Sequence, residues 1–524
     1  MAYEVEIAAA LGKRVSIRLV DGDGFRDLLG VLQDEKTLLR RDGSLANFEL
    51  EQIVHFRVVP LFNRRDNSSE ELSLYDTRTR ELREIAEPGK PVKIYCCGPT
   101  VYRDAHVGNM RTFLLADLAI RALALSGHST TVVQNITDVG HMTEDIHEED
   151  KVLEEGKKQS MTAGEIALKY EKFFHDDLAQ LNINPADFYP RASESMELII
   201  DAIEKLIAAK AAYVGSDGNV YFDVQSFESY GAISGNKLDA LKPGHRYEYI
   251  GDGGKKFHAD WALWKLAKDR SEMVWPSPWG VGFPGWHIEC TAMSLALLGD
   301  EVDLHVGGID LRFPHHENER AQTNSIANRD VVGHWLHGEH LLFEGRKMAK
   351  SSGNVLLVRD VVSAGIDPLA LRLALLENRY RSQMDLTWDS LKAADSTLKR
   401  WRKLMASWGD SSEIKFDRDL NLAMMRDLDT PRMIIRLRAI EKDLTIGSQD
   451  KRGIFLYADQ LLALNLDRVP SDELSDEATK LLEERAAARA SKNWSESDRL
   501  RDLLLEQGVE VRDGKDGQSW EKIR

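Results

Sequence analysis

An apolar run at Lys93–Cys97 leads through a glycine-containing turn into an amphipathic stretch, Met110–Ser126, and then into a nearly all-apolar run at Thr130–Ile136. Runs this apolar suit strands covered on both faces, and a helix between two of them makes a parallel βαβ crossover. Few other arrangements accommodate that order. The centre of the chain is therefore predicted to be α/β, a Rossmann-type doubly wound parallel sheet. Ligands of such sheets bind beyond the carboxyl ends of the strands. The turn from Cys97 to Asn109 is thus the first candidate binding site.

The chain has 524 residues, more than one hydrophobic core serves, so several modules are expected. Residues 1–62 hold short β-prone runs split by Asp21-Gly22-Asp23-Gly24 and Arg41-Asp42-Gly43-Ser44, the pattern of a small antiparallel barrel, SH3-like. Asn63–Glu71 reads as a linker. The sheet domain is predicted in two halves, 72–138 and 256–358, separated by an insertion at 139–255. Within that insertion the charged runs Thr143–Glu155 and Lys157–Ser160 read as a solvated excursion. A helical bundle is expected over 359–465, a break at Val469-Pro470-Ser471-Asp472, and a small α+β domain over 472–524. In the last domain the expected elements are helices Asp476–Ser491 and Ser495–Gln507, with Ser495 as a cap, and a hairpin from Val509 to Trp520.

Composition narrows the functional classes. No stretch approaches the roughly 18 to 20 uninterrupted apolar residues of a spanning helix, and the N-terminus lacks the pattern of a secretory signal. Cys96, Cys97 and Cys290 provide no disulfide framework, which fits a reducing cytoplasm and leaves metal binding open. The net charge of -17 disfavours indiscriminate nucleic-acid binding but allows a local basic surface. Lys399, Arg400, Arg402 and Lys403 around Trp401 form one such candidate, and a solvated helix face explains that run equally well.

Two segments carry the signs of a nucleotide site. In the turn after the first strand, Gly108 allows close backbone approach at a helix start, where His106 and Asn109 can donate hydrogen bonds to phosphate. Far downstream, Lys347-Met348-Ala349-Lys350-Ser351-Ser352-Gly353-Asn354 puts two lysines on a Gly/Ser-rich loop, suited to the charge of a departing pyrophosphate. A simple helix cap and an ordinary basic loop would explain each one alone. Together, His106-Val107-Gly108-Asn109 and Lys347–Ser351 resemble the HIGH and KMSKS signatures of class I aminoacyl-tRNA synthetases.

A second constellation offers metal donors. Pro284-Gly285-Trp286-His287-Ile288-Glu289-Cys290 is followed by Phe313-Pro314-His315-His316-Glu317-Asn318-Glu319, and His315 and Glu319 share a face if helical. With Cys97 and Cys290 they form a set that zinc accepts. Singly, the cysteines also read as small core residues and His315 as a satisfied polar partner. The run from His316 is not a His-Glu-x-x-His peptidase motif, because position 320 is Arg.

From about residue 72 onward the chain resembles cysteinyl-tRNA synthetases. The matching runs are Tyr95–Tyr102, Asn135–Asp138, Pro284–Cys290, Gly307–Leu311, Phe313–Glu319, Tyr380–Gln383 and Arg489–Trp494. The resemblance implies zinc held by Cys97, Cys290, His315 and Glu319, and a cysteine pocket lined by Gly98, Thr137 and Trp286. It also implies an ATP site at His106, Gly108, Asn109, Gly307, Gly308, Asp310, Lys347 and Lys350. Of these, His106, Asn109, Lys347 and Lys350 would stabilise the reacting phosphates. The implied reaction is activation of L-cysteine by ATP with Mg2+, then transfer to tRNA(Cys) held by the helical bundle and a C-terminal anticodon-binding domain. Family analogy also gives a cytoplasmic monomer. Departures are Asn109 for the second His of HIGH, Ala349 for Ser in KMSKS, the Asp138-Val139-Gly140-His141 stretch and the N-terminal extension. Two other readings stand beside this one: a ligase transferring activated cysteine to an amino sugar, as in mycothiol assembly, and a non-catalytic RNA-binding paralogue. The first family lacks the C-terminal segment, and retention of the metal donors and loop lysines speaks against the second.

Overall fold

The computed structural model describes residues 7–21, 24–40, 44–58, 71–85, 90–139, 151–236, 238, 254–268, 270–348, 354–468, 476–491, 493–506, 509–514 and 517–522. The expected linker over 63–70, the start of the charged excursion, the break at 469–472, and Lys350 with its neighbours at 349–353 lie outside these residues.

Strands β1 (Arg14–Asp21), β2 (Gly24–Asp34), β3 (Thr37–Leu39), β4 (Leu45–Asn47) and β5 (Ile53–Val58) form one antiparallel sheet in the order β4-β3-β2-β1-β5. Alternate residues Val15, Ile17 and Leu19 of β1 meet Leu28, Leu38 and Phe56 in a core of their own. A hairpin of β6 (Ser73–Asp76) and β7 (Glu81–Glu84) follows.

Next come β8 (Val92–Cys96), α1 (Val107–Leu125) and β9 (Thr130–Gln134), the crossover expected from the apolar pattern. Helices α2 (Lys151–Gln159), α3 (Ala163–Gln180) and α4 (Met196–Ala208) lead to β10 (Ala212–Val214), β11 (Val220–Phe222), β12 (Trp261–Leu266) and β13 (Gly282–Pro284). These four strands make one antiparallel sheet in chain order, so strands on both sides of residue 255 share it. Part of the excursion is ordered: α2 buries Val152 in the main core, an anchor that the surrounding charge concealed. The chain then returns through α5 (Trp286–Leu298), β14 (Val302–Gly308), α6 (Glu317–Ala327) and β15 (Val332–Gly338). The resulting parallel sheet has the order β15-β14-β8-β9. The hairpin docks on its edge, where the Trp335 amide donates to buried Asp76 at 3.1 Å.

Beyond the sheet lie β16 (Leu341–Phe343), β17 (Arg346–Lys347), α7 (Val358–Ser363), α8 (Pro368–Leu376), β18 (Met384–Leu386), α9 (Trp388–Ser407), α10 (Arg418–Met425), α11 (Thr430–Lys442) and α12 (Ser448–Leu462). Strand β18 interrupts the expected all-helical stretch because it completes β16 as a parallel partner. Helix α1 is buried on nearly every side, sandwiched between sheet and bundle, and its polar groups are correspondingly paired. Arg111 donates to the carbonyls of Glu339, His340, Arg379 and Ser382 at 2.8–3.1 Å. Asp117 receives Arg121 at 2.8 Å and Arg372 at 2.6 Å, all three side chains fully buried. The Tyr380–Gln383 run is thus a joint: Tyr380 and Arg381 both bond Asp427.

The basic run on α9 is not a free stripe. Trp401 and Arg402 are buried, Arg402 bonding the Leu464 and Asn465 carbonyls and Asp367, while Arg400 pairs with Glu441 and Lys399 with Asp395. The terminal unit comprises α13 (Asp476–Ala490), α14 (Trp494–Glu506) and a hairpin of β19 (Val509–Gly514) and β20 (Gly517–Lys522). Ser495 lies inside α14 rather than capping it. The Asn493 side chain accepts the Glu496 amide at 3.3 Å, because the cap lies two residues earlier than the Ser-x-x-Asp spacing suggests.

Candidate metal and nucleotide sites

Helix α1 carries the chain from β8 to β9 on one side, whereas β14 pairs with β8 on the other. Two connections diverging from neighbouring strands leave a crevice at their carboxyl ends. Cys97 and Gly98 follow β8, Gly307 and Gly308 end β14, and Thr137 follows β9. The sheet order alone brings these distant residues to one rim.

Four donor side chains converge there from three segments. Cys97 comes from the end of β8 and Cys290 from the first turn and a half of α5. His315 precedes α6 in a tight turn, and Glu319 lies in its first turn. All four are buried, and one ligand atom from each lies within 4.8 Å of the others. Cys97 Sγ is 3.5 Å from Glu319 Oε1, Cys290 Sγ is 3.6 Å from His315 Nε2, and His315 Nε2 is 2.8 Å from Glu319 Oε1. The shared face expected of His315 and Glu319 persists although His315 stands just outside the helix.

Burial pushes the Glu319 carboxyl well above its ordinary range. It pushes the Cys97 thiol up as well, while a hydrogen bond from Cys97 lowers its neighbour Cys290. The partners of these groups are one another and histidine rings. Buried anionic donors need a countercharge, and a cation at their centre supplies it. Bonds of about 2.0–2.3 Å in a tetrahedron place donor atoms roughly 3.3–3.8 Å apart; the two sulfur separations fall in that range, while His315 and Glu319 lie closer, at hydrogen-bond distance. The donor set fits a metal such as zinc.

A layer of histidines behind the donors has no spacing signature and escapes the sequence reading. His305 Nε2 lies 3.5 Å from Cys97 Sγ and 3.4 Å from Glu319 Oε2, and His316 Nε2 lies 3.3 Å from Cys97 Sγ. These two also form a second candidate donor group with Cys97 and Glu319, but one with a single sulfur. His316 Nδ1 meets His337 Nε2 at 2.8 Å, and His337 Nδ1 meets Thr77 Oγ1 at 2.9 Å. His287 Nδ1 meets His315 Nδ1 at 2.8 Å, an outer bond that orients the His315 ring. Burial lowers His305 and His316 far below the ordinary imidazole range and His337 to about 3, so these rings are neutral at pH 7. A polar residue within the apolar strand Val302–Val306 was the one available sign of His305.

Gly98, Thr137 and Trp286 stand around this cluster. A Cβ on Gly98 would meet the Asn135 carbonyl oxygen at 1.6 Å, so only glycine fits. The Asn135 side chain accepts the Gly98 amide at 2.9 Å and donates to Thr137 Oγ1 at 3.0 Å, and Thr137 donates to Glu289 at 3.3 Å. The Trp286 ring, 36% exposed, lies 4.3 Å from the His315 ring and forms a wall open to solvent.

The nucleotide candidates occupy the adjacent rim. His106 caps α1 by a reciprocal arrangement: its Nδ1 accepts the Asn109 amide at 3.3 Å, while Asn109 Oδ1 accepts the His106 amide at 3.1 Å. With both acceptors engaged, the ring presents Nε2–H and the Asn amide presents its NH2, two outward donors. Burial, with the Arg103 charge, lowers the His106 pKa and keeps the ring neutral. A Cβ on Gly108 would meet the His106 ring at 2.9 Å and Met348 Cε at 3.2 Å, so this glycine lets the two signature segments touch. A Cβ on Gly307 would strike the His316 ring at 2.4 Å, and one on Gly308 would strike Asp310 Oδ1 at 2.4 Å. Lys347 is exposed on β17, and Asn354 ties the loop base to the Phe343 and Arg346 carbonyls at 2.8 and 3.2 Å.

Comparison with known proteins identifies the family. Residues 84–396 match the model of the tRNA synthetases class I (C) catalytic domain, and 471–520 that of the cysteinyl-tRNA ligase anticodon binding domain. Over 480 residues the chain is 40% identical to a cysteine–tRNA ligase of Thermus thermophilus, covering 86% of this chain and 99% of that relative. The Chlamydia muridarum cysteine–tRNA ligase is 36% identical over 484 residues, covering 86% and 100% respectively. Among solved structures, the LeuRS of an Agrobacterium radiobacter K84 LeuRS–tRNA–LeuAMS complex superposes with a TM-score of 0.53 at 11% identity. It covers 72% of this chain and 84% of that one, a likeness of fold.

Proposed function

The chain belongs to the cysteinyl-tRNA synthetase family, and from that premise we propose that Cys97, Cys290, His315 and Glu319 hold a zinc ion that selects cysteine by its sulfur. The protein is a cysteine–tRNA ligase of class I. The observation that carries the zinc reading is the convergence of two sulfurs, one imidazole and one carboxylate within 4.8 Å in a buried pocket at the strand ends. Zinc bound there supplies a Lewis acid that favours a thiolate over a hydroxyl, so serine, one atom different, is rejected by chemistry rather than by size. No separate editing step is then needed.

The remaining work belongs to side chains and backbone. Thr137, fixed by Asn135, and the Gly98 backbone orient the amino acid, and Trp286 closes the open side. The carboxylate of cysteine attacks the α-phosphorus of ATP, giving cysteinyl-adenylate and pyrophosphate. His106 Nε2–H and the Asn109 amide donate to the phosphates from the helix end, and Gly307, Gly308 and Asp310 face the nucleoside. Asn109 is therefore an adequate replacement for a second histidine, since its amide retains an outward donor. Lys347 and Lys350 neutralise the leaving pyrophosphate, which Mg2+ accompanies. The acyl group then passes to the terminal ribose hydroxyl of tRNA(Cys). The helical bundle and the terminal unit hold that RNA, with exposed Trp494, stacked under Arg489 at 5.6 Å, as a base platform. We place the enzyme in the cytoplasm as a monomer and read the N-terminal sheet as an SH3-like barrel.

Lys350→Ala tests the loop. Cysteine-dependent pyrophosphate exchange should fall by about 10²–10³-fold while zinc content is unchanged. Unaltered exchange would reject its assigned role.

A further inference from the structure

Tyr95 stands two residues before Cys97 on the central strand, so both side chains leave the sheet on the same face. Its backbone is in register with His305 on one side and Val133 on the other, and its ring lies 5.1 Å from the His305 ring. The side chain is wholly buried, packed in one cluster with Cys97, Cys290 and Trp335. Its hydroxyl forms no well-aligned hydrogen bond among the described residues, yet it lies against the Cys290 sulfur, with Cys97 and Glu319 beside it. A buried hydroxyl without a partner is costly, and phenylalanine would fill the same space without that cost. The poorly satisfied donor therefore points to a stronger acceptor than a neutral thiol. A thiolate meets that need, and the thiolates of Cys290 and Cys97 form when the metal binds.

We propose that Tyr95 is a positioning residue that donates its hydroxyl hydrogen to the Cys290 thiolate and thereby sets the metal's appetite for the sulfur of cysteine. This inference rests on the zinc reading above. A hydrogen bond to a ligand sulfur draws electron density from it, so that sulfur gives less to the metal. The metal is left more electrophilic toward an incoming thiolate. Tyr95 thus acts on substrate selection through Cys290 without touching the substrate.

Tyr95→Phe removes only the hydroxyl, and full-length wild type and variant are both loaded with Co2+ in place of zinc. The wild type should show a sulfur-to-cobalt charge-transfer band, and the variant the same band moved to longer wavelength. In pyrophosphate exchange by the zinc-loaded proteins, the variant's KM for cysteine should rise about tenfold with kcat and KM for ATP nearly unchanged. Superimposable bands and an equal KM for cysteine would overturn the role of Tyr95 while leaving the metal site standing. A wild type without any sulfur-to-cobalt band would overturn the metal reading and this inference with it. Thermal unfolding of the metal-free variant should come no lower than that of the metal-free wild type; a lower midpoint with an unmoved cobalt band would mark the hydroxyl as merely structural and overturn the proposal.

Discussion

Glu319 illustrates how one residue's environment dictates its role. A carboxyl only 1% exposed, among sulfurs and neutral imidazoles, is held far above its ordinary pKa unless a cation arrives. Glu319→Gln keeps the shape and removes the charge. Zinc measured by mass spectrometry should fall from about one per chain to a small fraction, with affinity down about 10–100-fold. Full retention of zinc would show that the carboxylate is no ligand. Asp117 is the contrasting case. Its burial would raise the pKa, but the guanidinium groups of Arg121 and Arg372 override it and hold the carboxyl down at about 2. The folded pKa lies below the unfolded value near 3.8, so the ionised pair stabilises the fold above about pH 4. That stabilisation, about 2 kcal/mol, is lost as pH falls from about 4 to about 2. The stability gap between wild type and Asp117→Asn, read by denaturant titration, should therefore narrow through that window; a constant gap would contradict the assignment. The four candidate donors were singled out because sulfur, imidazole and carboxylate suit zinc and because the family resemblance grouped them, since each alone also read as an ordinary core or polar residue. His305, His337 and Tyr95 were not, because outer partners are defined by sheet register rather than by spacing along the chain.

At the scale of elements, α1 does the most. Its N-terminus presents the two outward donors of His106 and Asn109, and its body ties the sheet to the bundle through Arg111. Arg111→Ala takes the guanidinium from four carbonyls, Glu339 and His340 before β16 and Arg379 and Ser382 at the joint, of which, among the described residues, only His340 and Arg379 keep a backbone donor, the Met384 and Ser382 amides. A loss of ~3 kcal/mol is expected from the denaturant midpoint, and a change below ~0.5 kcal/mol would show that solvent replaces the guanidinium. The crossover from β8 to β9 was legible because its apolar periodicity is strong. Helix α2 was not, since one buried valine among many charges gives little periodic signal. The cap of α14 was misplaced by two residues because Asn493 and Ser495 are both able caps and only tertiary context chooses between them.

For the whole molecule, segments up to about two hundred positions apart in sequence meet at the rim of one parallel sheet, and their convergence explains why the motifs are so dispersed. The basic run on α9 shows the limit of reading charge from sequence: Arg402 is buried against Asp367 and Arg400 is paired with Glu441, so both are spent in part on holding the bundle together. The N-terminal sheet keeps its own core and precedes both family matches, so the site can be built without it. The most direct test of the central claim is ATP–pyrophosphate exchange by the full chain, with cysteine or serine, before and after chelation. Exchange should require cysteine, fall about a hundredfold or more when zinc is stripped, and return when zinc alone is restored. Cysteine-driven exchange that persists in metal-free protein, or serine that serves as well as cysteine, would contradict it.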